Sequence, residues 1–175
     1  MTPPMPPGVP GVDPPAGEGG GRDWREHPFL QGLPAEHLAT LAGCAMPTSF
    51  AAGQFIFREG EIANRFYLIQ EGLVALEASA ANQAVVRVDS VVAGDVLGWS
   101  WLFPPYVWTF TARVLEPVRA IFFYGTWLRE HGREDPVFGY ELMRRTAGVV
   151  IRRLHAARQQ LIRPAGGIES SCSPG

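Results

Sequence analysis

Three tryptophans stand within ten residues, at Trp99, Trp101 and Trp108, in a chain of 175 residues that has only five. Phe103, Tyr106 and Phe110 fall in the same stretch, with Ser100, Thr109 and Thr111 interleaved. Residues of these types support two kinds of chemistry. Aromatic rings bury large areas, so the cluster can plug a cavity and extend a core. The same rings can wall an open cavity for a flat or apolar small molecule, with the three hydroxyls as polar handles. Both readings stand at the level of sequence. Quenching of tryptophan fluorescence by metabolites separates them, because a plugged core does not respond.

The other reactive side chains argue against catalysis. The four histidines, His27, His37, His131 and His155, lie outside the segment read below as β structure. A metal centre built from the inward faces of a β-barrel therefore lacks imidazole ligands. His27 and His37 read as surface or capping residues of N-terminal helices. No G-x-S-x-G, P-loop or G-x-G-x-x-G pattern occurs. Glu59, Glu61 and Glu71 flank turns and read as solvated. Cys44 and Cys172 are too few for a disulfide scaffold, a structural zinc or an iron–sulfur site. The expectation is no enzyme, no metal and no cofactor.

Composition bounds the partners. At 46% hydrophobic and 18% charged residues the chain reads as a soluble globular protein. Charged residues interrupt every apolar run before the ~20 residues that a membrane helix needs. The opening MTPPMPPGVPGVDPP has neither a basic nor an apolar leader region, so the expected location is cytoplasmic. A net charge of −2 argues against coating nucleic acid wholesale. All 15 basic residues are arginine. Six of them (Arg144, Arg145, Arg152, Arg153, Arg158 and Arg163) follow Val137 with Glu141 as the one acid among them. They read as a solvated face or as a contact surface for acidic protein or nucleic acid.

The elements that must position the aromatic cluster follow from periodicity. Residues 1–22 hold seven Pro and six Gly and read as a disordered tail, as do residues 164–175. Residues 23–163 form one domain. Asp23 is placed to cap a short helix carrying Trp24, Phe29 and Leu30, and Pro34 opens a second with Leu38, Leu41 and Ala42 at helical spacing, stopped by Gly43. From Thr48 the period becomes two. Strands are expected at 54–57, 66–69, 73–77, 84–88, 107–114 and 118–124, and such spacing reads as an all-β barrel or jelly roll over about 48–124. Helical spacing returns over about 125–163, first in a short helix from Gly125 to His131. Asp135 then caps and Pro136 opens a long helix with an apolar stripe at Phe138, Leu142, Val149, Ile151, Leu154 and Leu161.

The segment IFREGEIANRFYLIQEG, from Ile56 to Gly72, resembles the first signature of cyclic-nucleotide-binding domains. Only Phe57 departs from it, where a smaller Val, Ile or Cys is usual. Gly60 and Gly72 read as tight turns, and Phe66–Ile69 as a strand packed on both faces. HPFLQGLPAEHLATLA is similar to the family's N-terminal helices. The resemblance covers about residues 23–163 and points to a catabolite-activator or Fnr type of effector domain without its DNA-binding domain. It implies a mainly β fold with flanking helices: a double-stranded β-helix (jelly-roll) β-roll, two short N-terminal helices and a long C-terminal helix.

The family's second signature, its phosphate-binding cassette, aligns without a gap to Leu97–Leu102, a loop at 103–107, and Trp108–Phe110. The resemblance assigns the ligand site to Gly98, Trp99, Ser100, Trp101, Leu102, Trp108, Thr109 and Phe110. Four of these depart from the pattern. The Glu that receives the ribose hydroxyl is Trp99, the Arg that clamps the cyclic phosphate is Trp108, a small residue is Trp101, and an Ala is Phe110. Leu97, Gly98, Leu102, Thr109, Ala112 and Val114 fit. Hydrogen bonds to charged groups contribute roughly 1.5–3 kcal/mol each, so losing two costs about two to four decades of affinity. Arg113 is the one nearby guanidinium, and on a strand it points away from 108, 110 and 112. The expected consequence is weak or no binding of cAMP or cGMP. The reading is a regulatory or ligand-sensing module; the alternatives are a structural interaction module with a filled pocket and the effector part of a Crp/Fnr-type transcription regulator.

The resemblance also implies a homodimer through the long helix, with Phe138, Leu142, Val149, Leu154 and Leu161 as the seam and Ala147 and Gly148 allowing close approach. The other possibility is a monomer whose stripe packs on its own β-roll. An effector protein is a further possible partner. Only 12 residues follow Arg163, too few for a helix-turn-helix domain, so DNA binding by this chain alone is not expected.

Overall fold

The computed structural model describes residues 23–80 and 84–162. Both expected tails lie outside these residues, and so do Arg163 and Cys172. The described residues open with two 3₁₀ turns, Trp24–Glu26 and Pro28–Leu30, and a helix α1 (Ala35–Ala42). Six strands follow: β1 (Met46–Phe50), β2 (Phe55–Phe57), β3 (Arg65–Ser79), β4 (Val85–Val92), β5 (Val96–Leu97) and β6 (Thr111–Tyr124). A 3₁₀ turn, Ser100–Leu102, sits between β5 and β6. Helices α2 (Gly125–Glu134) and α3 (Pro136–Ile162) complete the described residues.

The short helix expected after Asp23 is split in two. The Asp23 carboxylate accepts from the Arg25 N–H, as a cap does, but Pro28 has no N–H to continue the first turn. His27 caps the second turn instead, its Nδ1 accepting from the Phe29 N–H at 3.2 Å.

All pairing is antiparallel, in the order β1-β6-β3-β4, with β2 also on β6 and β5 also on β3. Four of the expected strands merge into two. Residues 66–69 and 73–77 are one strand, β3, and the run expected from 107 begins only at Thr111 and continues through Tyr124 as β6. The reason lies at Gly72, read as a turn from the sequence. It has φ +94° inside β3, where the register against β6 slips, and a Cβ there would lie 2.2 Å from the Pro117 carbonyl oxygen. Gly72 is thus a bulge that bends a long strand rather than ending it.

β3 and β6 bury both faces. Phe66, Leu68, Ile121 and Phe123 point into one cluster, shared with Leu30, Leu41, Trp101, Leu128 and Phe138 from the helices. Tyr67, Ile69, Ala120 and Phe122 point the opposite way, into a cluster with Phe57, Val74, Trp108 and Val114. This double burial explains the unbroken apolar run Phe66–Ile69.

Asp135 caps α3, its Oδ1 accepting from the N–H groups of Val137 and Phe138 at 3.0 and 3.1 Å, and Pro136 takes the first helical position. The helix divides the five expected seam residues. Phe138, Leu142 and Val149 are inside the chain's own core, whereas Leu154 and Leu161 are exposed. Among the described residues no helix is long and apolar enough to cross a membrane.

Candidate ligand site

The loop between β5 and β6 is held by the turn at Gly60. The Gly60 N–H donates to the Trp108 carbonyl at 2.8 Å, the Trp108 N–H donates to the Glu61 carbonyl at 2.9 Å, and the Ala63 N–H donates to the Tyr106 carbonyl at 2.8 Å. Thus the segment carrying the first signature fixes the backbone of the second. The Trp108 ring then lies over Gly98, where any Cβ would come within 2.7 Å of it.

On its other side Trp108 meets Phe57. The two rings stack with centroids 3.9 Å apart and planes 11° from parallel, and both are buried. Two of the residues that depart from the family pattern, one in each signature, are therefore one packed pair. An aromatic at 57 is oversized only while 108 is a flexible arginine; against an indole it supplies the matching face.

The space left beside the Phe57–Trp108 stack is small. Gly98, Trp99, Ser100, Trp108, Thr109 and Phe110 border a cavity of about 20 Å³. That volume admits about one water, whereas small-molecule pockets run to roughly 300–1,000 Å³. Of the polar handles, Ser100 is buried, Thr109 is exposed, and the Thr111 hydroxyl already accepts from the Glu59 N–H at 3.1 Å.

Trp101 and Leu102 do not join this group. The 3₁₀ turn rotates them toward the helices, where Trp101 is 1% exposed and packs on Phe66 at 5.7 Å. Its carbonyl accepts from Arg129 of α2. The eight residues assigned from the sequence thus separate into six around the cavity and two on the opposite side of the sheet.

Arg113 turns to Glu77 across β3 and β6, with Nε 2.9 Å from Oε1, and does not line the cavity. That hydrogen bond raises the Arg113 pKa above the ordinary arginine value. A different guanidinium reaches the site from α3. Arg153 donates from Nη2 to the Val96 carbonyl at 2.6 Å, and its Nε lies 3.7 Å from Oδ2 of Asp89. Burial lowers its pKa from the ordinary value, opposed by the nearby carboxylates of Asp89 and Asp95. The sequence signal for Arg153 is its position four residues after the buried Val149, on the same helix face.

The basic stretch of α3 is accordingly not a uniform face. Arg145 donates to the carbonyls of Phe29 and Gln31, both at 2.8 Å, and Arg144 pairs with Glu141 at 2.8 Å. Arg152 and Arg158 remain exposed.

His37, read as a surface or capping residue, is instead 4% exposed, with Nε2 3.3 Å from Oδ2 of Asp135 and its ring edge-on to Phe138. His27 keeps its capping role and is likewise buried. Burial pushes the Cys44 thiol up to about 12, so it is no nucleophile at neutral pH. Glu59, Glu61 and Glu71 are exposed. Among the described residues no group of three or more His, Cys, Asp or Glu could hold a metal ion.

Residues 47–130 match the family described as Cyclic nucleotide-binding domain. A CRP-like cAMP-activated global transcriptional regulator from Mycobacterium tuberculosis is 28% identical over 133 residues, which are 76% of this chain and 58% of that protein. The chain thus spans little more than half the length of this curated relative. Among solved structures, one from Geobacter metallireducens GS-15, assigned as a cyclic nucleotide-binding protein, is 36% identical with a TM-score of 0.68, covering 75% of this chain and 95% of its own. The N-terminal domain of a transcriptional regulator from Streptomyces coelicolor A3(2) shares the fold at 24% identity and a TM-score of 0.60, over 85% of this chain and 98% of its own. By sequence and by fold together, the chain belongs to the cyclic nucleotide-binding domain family.

Proposed function

We propose that this chain is a cytoplasmic, non-catalytic regulatory module of the family whose cassette is closed to cyclic nucleotides. The observation that carries this reading is the Phe57–Trp108 stack with its residual volume of about 20 Å³. A cyclic phosphate needs a cationic clamp, and the site offers indole rings whose single N–H carries no charge. The one guanidinium at its edge, Arg153, is engaged by Val96 and Asp89. Isothermal titration calorimetry with cAMP and cGMP is expected to give no binding below about millimolar ligand, and a micromolar dissociation constant overturns the reading.

The output of such a module is α3. Its outward side presents Tyr140, Met143, Ala147, Val150, Leu154 and Leu161, spaced by three or four residues as far as Leu154 and then by seven, which suits pairing with a second copy. Tyr140, Met143, Leu154 and Leu161 are exposed. This seam is rotated from the one expected, because Phe138, Leu142 and Val149 already serve the β-roll. Light scattering on the full chain tests it: a monomer at high concentration rejects the homodimer and leaves an effector protein as the partner of this face.

A second reading is favoured by the curated relative and the Streptomyces domain, both belonging to transcriptional regulators. In it the chain is the effector part of such a regulator, its DNA-binding half supplied elsewhere. A gel shift of the chain on bulk DNA is then negative alone.

A further inference from the structure

An open groove lies on the helix side of the sheet, away from the cassette cavity. It holds about 380 Å³ between α2, α3 and the 3₁₀ turn that carries Trp101, and none of the residues bordering it belongs to a strand. That volume falls within the range of small-molecule pockets, roughly 300–1,000 Å³. Gly132 of α2 and Gly139 of α3 both border it, and a Cβ on Gly132 would lie 3.1 Å from the Gly139 Cα. The two helices meet there without side chains to fill the space.

We propose that this groove binds an aromatic monocarboxylate, its carboxylate held by Arg129 and Arg133 and its ring among Trp101, Tyr106 and Tyr140. The proposal goes beyond the closed-cassette reading and stands whether or not the cassette admits a nucleotide.

Charge sets the ligand class. Arg129 and Arg133 border the groove four residues apart on α2, hence on one helix face, and no acidic residue borders it. Among the described residues neither pairs with a carboxylate. Arg129 donates to the Trp101 carbonyl and, at 3.4 Å, to the Thr126 hydroxyl, and its guanidinium carbon lies 4.3 Å from the centre of the Tyr106 ring. All three partners are neutral, so the charge is uncompensated beside an apolar wall. A carboxylate supplies the missing charge and accepts paired N–H bonds from a guanidinium. A cation is repelled by both arginines, and an uncharged ligand leaves them unmet.

Two further observations mark the aromatic wall as a ligand surface. Nε1 of buried Trp101 has no protein partner. Tyr106 has φ +58°, the one non-glycine residue with positive φ among the described residues. Its backbone is held there by bonds at both ends, its N–H donating to the Phe103 carbonyl at 3.0 Å and its carbonyl accepting from the Ala63 N–H at 2.8 Å. Strained backbone of this kind gathers at ligand sites, and here it sets the ring beneath Arg129.

The test titrates 2-naphthoate and its uncharged methyl ester into the full chain by calorimetry. The acid is expected to bind at one site per chain, about tenfold more tightly than the ester. Arg133→Gln removes an exposed charge and is expected to weaken the acid about fivefold, with the ester and the circular dichroism unchanged. Equal or tighter binding of the ester overturns the proposal, as do indifference to Arg133→Gln and failure of the acid to bind. Binding confined to the monomer, with light scattering as the monitor, also overturns it, because a second copy then covers the groove at Tyr140 and Met143. Displacement of naphthoate by cAMP would place the acid in the cassette and bring down this proposal and the closed-cassette reading together.

Discussion

The two halves of the core differ in how completely their polar groups are paired. The helix-facing half leaves Nε2 of His27, Nδ1 of His37, Nδ1 of His131, Nε1 of Trp101 and Oγ1 of Thr146 buried without a protein partner. The cassette-facing half leaves Nε of Arg65 in the same state and is otherwise built on stacked rings. There Phe57 lies flat on Trp108, and the Arg65 guanidinium rests 5.0 Å over the Phe122 ring. Unpaired buried polar groups cost about 1–3 kcal/mol each. Conformational change is therefore less costly where α1, α2 and α3 meet than where the cassette lies. The contrast predicts that the cassette side is the more rigid of the two halves.

The largest test of that contrast rebuilds the site. Phe57→Val, Trp99→Glu and Trp108→Arg together restore the family's residue types and open the stacked volume. The triple variant is expected to gain about two to four decades of cAMP affinity over the parent, read by calorimetry. No gain means that the cassette is closed by something other than the two indoles and Phe57.

Next in size is the plug itself. Trp108→Ala is expected to cost about 4 kcal/mol in urea denaturation, as large-to-small changes in a closed core do. Phe57→Ala added to it should cost less than when made alone, with a coupling of about 1 kcal/mol for the stacked rings. Strict additivity would mean that the two residues pack independently.

What the sequence could reveal of these halves follows from the range of the forces involved. Asp135 with Pro136, and the apolar run Phe66–Ile69, obey rules that reach only a few residues, and both were legible. Gly72 needed its cross-strand neighbour: nothing local tells a turn from a bulge pressed on the Pro117 carbonyl. The cassette residues could be aligned by resemblance, yet the pairing of Phe57 with Trp108 joins two segments distant in the chain. Trp101 was separated from Trp99 by a 3₁₀ turn, whose threefold winding sends near neighbours to different sides. Arg145 and Arg153 read as part of a basic face because their carbonyl partners, on Phe29, Gln31 and Val96, carry no signature in a sequence.

A smaller effect probes the helix-facing half. α2 and α3 touch through two glycines, and a methyl on Gly139 would sit 2.5 Å from the Gly132 carbonyl oxygen. Gly139→Ala is expected to cost about 2 kcal/mol by prising the two helices apart, while the Phe57–Trp108 stack stays intact. Protection of α3 amides from hydrogen exchange should fall and that of β3 and β6 should hold. Equal loss in both would show that the halves move as one.

The smallest effect is electrostatic and sits at the same joint. The Asp135 carboxylate accepts from the Phe138 and Val137 N–H groups and faces Nε2 of His37 at 3.3 Å. These hydrogen bonds, Phe138 first, hold its pKa below the ordinary aspartate value, with His37 and His131 adding to the effect. A depressed folded pKa means that the contribution to stability is complete above the unfolded value, about 3.9, and is lost as pH falls through the folded value. Asp135→Asn keeps an oxygen to accept from α3 and removes the charge. The parent's advantage over Asp135→Asn should thus shrink steadily as pH falls below about 4, in urea midpoints taken on the acid side. Glu141, whose pKa is also lowered by its bond from Arg144, is present in both proteins and cancels from the difference. An advantage that does not change on acidification would mean that the joint is held by packing around Phe138 and not by the charge on its cap.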